Sequence, residues 1–91
     1  MAMTSLTAKP LDAFSLGKKR ILVCQVLGIN PNNFVGKEFW FLSLDQRQIL
    51  IKIDGLSTAS RFKENLCDFS YSGVEISSDH IGADSLIVEA T

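Results

Sequence analysis

The sequence predicts an α+β domain: a small, mostly antiparallel sheet or partly open barrel, in the order β-β-β-α-β-β, with one helix packed on it. Three observations point there. Period-two and continuous apolar runs of strand length flank a single segment of helical period, which favours strands joined by hairpins over the repeated crossovers of a parallel sheet. Ninety-one residues suffice for one domain with a modest core. The composition, 46% apolar and 21% charged, is that of a chain that folds.

Residues 1–17 are rich in Ser, Thr and Ala. Leu11, Phe14 and Leu16 are spaced like one turn of an amphipathic helix, so this stretch reads as an N-terminal arm or short docking helix ahead of a domain over residues 18–91. The first strand is Ile21 to Ile29, β-branched and nearly continuous in its apolar character, and Asn30-Pro31-Asn32-Asn33 breaks it. Phe39 to Leu44 and Gln48 to Ile53 form the arms of a hairpin around Asp45-Gln46-Arg47. Ile49, Ile51 and Ile53 alternate with Gln48, Leu50 and Lys52, so the isoleucine face points into the core.

In the other arm Trp40, Leu42 and Leu44 share one face while Phe39, Phe41 and Ser43 take the other. Either the sheet is covered on both faces or one aromatic row is exposed. Ser57 to Cys67 changes period, with Ala59, Phe62, Lys63 and Leu66 at helical spacing and Ser57 or Thr58 placed to cap the first amides. Asp68 to Ile76 follows as a strand interrupted at Ser72-Gly73, and Ser85 to Ala90 closes the chain with Leu86, Val88 and Ala90 on one face.

Charge is divided along the chain. The first 63 residues hold all nine basic side chains against four acids, and the last 28 hold six acids and no base, giving +5 against −6. Like-signed clusters of this kind steer encounters between partners, including two copies of one protein. With a net charge of −1 and no basic tract denser than Lys18-Lys19-Arg20, bulk attraction to nucleic acid is weak and general coating of duplex DNA is not expected.

Two cysteines and one histidine fall short of the four ligands of a structural zinc site, so neither a metal nor a cofactor is expected. Cys24 lies in an apolar run and Cys67 at the end of the expected helix, where free thiols behave as small hydrophobes. The run Ile21 to Ile29 is too short to span a bilayer, which takes about 20 apolar residues. No small-residue cleavage site follows it, and the expectation is a soluble, cytoplasmic protein.

His80, preceded by Ser77, Ser78 and Asp79, is the one place where catalytic residue types gather. Adjacency in sequence does not make them converge in space, and a turn cap is the simpler reading. No nucleophile elbow, phosphate-binding glycine loop or paired-carboxylate motif is present, so no catalytic residue is assigned and the protein is not expected to be an enzyme.

The expected function is therefore a non-catalytic protein-binding module, an adaptor, inhibitor or accessory subunit, that also pairs with itself as a homodimer. The residues assigned to the partner are Lys18, Lys19 and Arg20 on one surface, Glu75, Asp79, Asp84 and Glu89 on another, and Phe39 with Phe41 as an apolar centre. Uncovered edges at Ile21 to Ile29 and Ser85 to Ala90 would invite strand pairing. The alternative is a single-stranded nucleic-acid binder in which Trp40 stacks bases beside Lys37, Arg47 and Lys52.

Overall fold

The computed structural model describes residues 6–26, 29–56 and 65–90. Inward-facing side chains from all the strands together fill a closed ring. The strands are β1 (Thr7–Leu16), β2 (Lys19–Gln25), β3 (Glu38–Leu42), β4 (Gln48–Leu56), β5 (Leu66–Gly73) and β6 (Leu86–Glu89). They close into a barrel in the spatial order β1-β2-β5-β4-β3-β6, with every neighbouring pair antiparallel.

The α+β expectation is thereby corrected. Among the described residues the fold is all-β, with two short 3₁₀ turns and no helix packed on the sheet. Of the expected helix Ser57 to Cys67, residues 57–64 lie outside the described residues, while Leu66 and Cys67 open β5. In β5, Cys67, Phe69 and Tyr71 point inward at period two, a pattern that begins before Asp68.

Leu11, Phe14 and Leu16, read as a helical turn, belong to β1, which pairs with both β2 and β6. Small residues made this strand hard to see: Ala8, Pro10 and Ala13 are its buried positions, and the larger apolar side chains stand outside. A register shift between Pro10 and Asp12 also moves the alternation by one residue. Proline lacks a ladder donor and is tolerated at such a bulge.

The interior is filled chiefly by Leu22, Phe39, Phe41, Ile51, Ile53, Phe69 and Ile87, each no more than 1% exposed. Burying a side chain of this kind stabilises by about 1.5–3 kcal/mol relative to leaving it in water. Phe34 adds a plug from a loop. The turn Pro31–Phe34 starts at Asn30, whose side chain accepts from the Asn32 amide at 3.0 Å, and it delivers the Phe34 ring against Phe39 and Phe69 at centroid distances of 5.2 and 5.3 Å. The Asn30-Pro31-Asn32-Asn33 turn thus positions the Phe34 cork.

The β3–β4 connection is fixed by Ser43. Its hydroxyl donates to the Asp45 carboxylate and accepts the Arg47 amide at 3.0 Å, while Arg47 and Asp45 pair at 3.0 Å. The Ser43 hydroxyl, helped by the Arg47 guanidinium, holds the Asp45 carboxyl below the usual carboxylate range.

Candidate binding surfaces

Ring closure removes the edges expected to pair with a partner. β2 lies between β1 and β5, and β6 between β3 and β1, so neither offers an open ladder. Contact with another molecule through these two strands must therefore use an outer face or an end of the barrel.

Phe39 and Phe41 are both fully buried, which corrects their assignment as an apolar interface. The reason lies in the hairpin register: Phe39 stands opposite Ile51 and Phe41 opposite Ile49, so the phenylalanines share the isoleucine face and enter the core with it. Trp40 therefore faces out, 39% exposed. It sits opposite Leu50 on β4 and Val88 on β6, and Leu42 sits opposite Leu86. Leu50–Trp40–Val88 with Leu42–Leu86 makes one apolar surface across three strands, bounded by the Glu38–Lys52 pair at one end and Gln48 at the other. Sequence reading missed Leu50, Leu86 and Val88 as Trp40's neighbours. The inward isoleucine row, carried across the hairpin, is the signal that finds Leu50, whereas Leu86 and Val88 follow only from the pairing of β3 with β6.

The charges that are divided along the chain are interleaved in space. Arg20 lies 4.0 Å from Glu75, and Lys37 lies 3.7 Å from Glu89. Glu89 also accepts the Leu6 amide at 3.1 Å, which ties it to the β1–β6 seam. Asp79 is exposed in the 3₁₀ turn Ser78–His80. Asp84 lines a cleft of about 400 Å³ with Leu42, Leu44 and Gln48. The expected acidic surface is thus divided among separate places, with Glu75 and Glu89 already paired to bases of the first half of the chain.

His80 serves its own turn. Its Nδ1 accepts the Ser77 amide at 3.4 Å while the Ser77 hydroxyl accepts the Asp79 amide at 3.3 Å, a reciprocal cap. Among the described residues no cluster of three or more His, Cys, Asp or Glu side chains is placed to hold a metal ion, and no helix is long and apolar enough to cross a membrane.

Lys18, Lys19 and Arg20 occupy the β1–β2 turn and the start of β2, and they meet β5 and β4 in a second cleft of about 310 Å³ that also takes in Ser70, Ser72 and Asp54. Tyr71, in the same stretch of β5, turns its ring into the barrel, where its hydroxyl accepts the Ile76 amide at 2.9 Å. Burial pushes that phenol up from its ordinary range, against the pull of the Ile76 hydrogen bond and Arg20.

Sequence reading missed Ser70, Ser72 and Asp54. The serines alternate with Cys67, Phe69 and Tyr71 on the outer face of β5, a pattern that becomes visible once the start of β5 is known. Around the ring β2 and β3 lie three places apart, so Lys19 and Arg20 stand on the wall opposite Trp40, while β4 borders both the cleft and the Trp40 face. Comparison with known proteins gives no relative: no family model, curated protein or solved structure matches the chain.

Proposed function

We propose that the protein is a non-catalytic binding module of the cytoplasm, an adaptor, inhibitor or accessory subunit, that self-associates through the outer face of β4, β3 and β6. The observation that carries this reading is the unbroken apolar surface around Trp40, where Leu50, Trp40 and Leu86 are each about two-fifths exposed. Tryptophan at the centre of an apolar patch with a polar rim is the usual anatomy of a protein contact. Glu38 and Lys52 on its border are of opposite sign, so a second copy approaches without like-charge repulsion.

Trp40 is the only tryptophan, and its fluorescence reports the contact directly. On raising the protein concentration, the emission should move to shorter wavelength as sedimentation shows dimer replacing monomer. Trp40→Ser and Leu50→Glu should sediment as folded monomers. A wild-type chain that stays monomeric at high micromolar concentration overturns the self-association.

The nucleic-acid reading has the exposure of Trp40 in its favour and the placement of the cations against it. Lys37 and Arg47 are paired with Glu89 and Asp45, and Lys52 stands opposite Glu38. Lys18, Lys19 and Arg20 lie across the barrel, which separates the stacking platform from the cationic groove that single-strand binders combine. Salt-sensitive quenching of Trp40 by a short single-stranded oligonucleotide would reverse this preference.

A further inference from the structure

We propose that the cleft between β2, β5 and β4 binds a small phosphorylated sugar, with its phosphate on Lys18, Lys19 and Arg20 and its hydroxyl groups toward Ser70, Ser72 and Asp54. The cleft's volume, about 310 Å³, is at the lower end for small-molecule sites, which begin near about 300 Å³. Its lining holds three cations against one carboxylate. Among the described residues no carboxylate lies within ion-pairing distance of Lys18 or Lys19, so both ammonium groups are available to an anion.

Arg20 is oriented in advance. Its Nη1 donates to the Gly73 carbonyl and its Nε lies 4.0 Å from Glu75, which draws the guanidinium toward the end of β5 while Nη2 remains to donate.

The backbone also opens this wall. A register shift between Ile53 and Gly55 bends β4 beside β5, and Gly55 stands opposite Ser70. A Cβ at Gly55 would lie 3.1 Å from the Ser70 hydroxyl, so the missing side chain leaves room beside that oxygen. Bulges commonly re-aim side chains beside binding sites. Ser72 Oγ donates to Asp54 Oδ1 at 3.5 Å, a long bond that a ligand hydroxyl can replace.

A carboxylate on the cleft wall and Glu75 behind Arg20 disfavour a continuous polyanion, whose many phosphates need an uninterrupted positive track. They suit a ligand that carries one phosphate and several hydroxyl donors. The site is independent of the Trp40 face and stands or falls separately.

The test is an amide chemical-shift titration of the full chain with ribose 5-phosphate, with inorganic phosphate and ribose alongside. Ribose 5-phosphate should give saturable shifts confined to residues 18–20, 54 and 70–73, with weaker saturation by inorganic phosphate and no response to ribose. The Lys18→Ala/Lys19→Ala variant changes only exposed side chains and should bind about tenfold or more weakly, since a hydrogen bond to a charged group is worth about 1.5–3 kcal/mol. Shifts that rise linearly without saturation, or saturable binding unchanged in the double variant, overturn the site. Equal affinity for inorganic phosphate and ribose 5-phosphate overturns the role of Ser70, Ser72 and Asp54.

Discussion

Cys24 on β2 and Cys67 on β5 stand opposite each other in the ladder, both facing inward, both buried and both unbonded. Burial pushes both thiols upward from their ordinary range; Cys67 and Asp68 add to the effect at Cys24, and Asp68 adds to it at Cys67. A thiol attacks only as thiolate, so these two are held unreactive by their surroundings.

The first prediction is that an aromatic disulfide reagent finds no thiol in the native protein at neutral pH and both after addition of denaturant. Stability should also depend on alkaline pH. The folded state keeps protons that the unfolded chain gives up, so the contribution of the cysteines is complete below about pH 8.5 and declines as pH rises above it. Tyr71, shifted in the same direction, extends the decline to higher pH. Urea midpoints should hold level from pH 7 to about pH 8.5 and fall from there to pH 10.5, and Cys24→Ala should flatten that fall while lowering stability by about 1–2 kcal/mol. A flat profile in the wild type would contradict this account.

Adjacent aromatics on β3 should respond in opposite ways to truncation. Phe41→Ala empties a fully buried position and should cost about 3–5 kcal/mol. Trp40→Ser, on the outer face, should leave most of the monomer's stability and remove self-association instead. Chemical unfolding of the two variants at low protein concentration, where dimer is absent, separates the effects. Equal losses would mean that the two faces of β3 are wrongly assigned.

Two glycines with positive φ should differ in their tolerance of alanine. Gly17, at φ +61° in the β1–β2 turn, has nothing within 4 Å of where a Cβ would stand, so Gly17→Ala should cost about 1 kcal/mol of backbone strain. Gly73, at φ +123° where β5 ends, would bring its Cβ to 3.0 Å from the Leu50 carbonyl oxygen. Gly73→Ala should therefore cost roughly 2–3 kcal/mol. Thermal unfolding of the pair ranks them, and the reverse order would refute the steric argument.

The β3–β4 hairpin was legible in the sequence because period two was undisturbed there: Ile49, Ile51 and Ile53 marked the inner face before any coordinate did. β2 was legible from its apolar run, and the Ser77 cap from its residue types. β1 was obscured because its inward positions are Ala8, Pro10 and Ala13, which carry little hydrophobic signal, and because a bulge breaks their period. The strand order lay beyond local pattern altogether, since β5 joins β2 to β4 through pairings distant along the chain. The clefts depend on that order. Lys18 to Arg20 could be noticed alone, but their meeting with Ser70, Ser72 and Asp54 is a product of topology.

The ring is fastened by a short clasp. β1 and β6 join through Thr7 with Val88 and Ala8 with Ile87, reinforced by the Leu6–Glu89 backbone bond at 2.9 Å, whereas β1 and β2 pair from Lys9 to Leu16 across one bulge. Breathing of the native barrel should begin at this clasp, because it gives up the fewest interactions and loses no aromatic plug. Each such opening turns the closed ring into a curled sheet with two unsatisfied borders. The first few residues of β1 thus act as the latch that keeps this chain from offering its backbone to its neighbours.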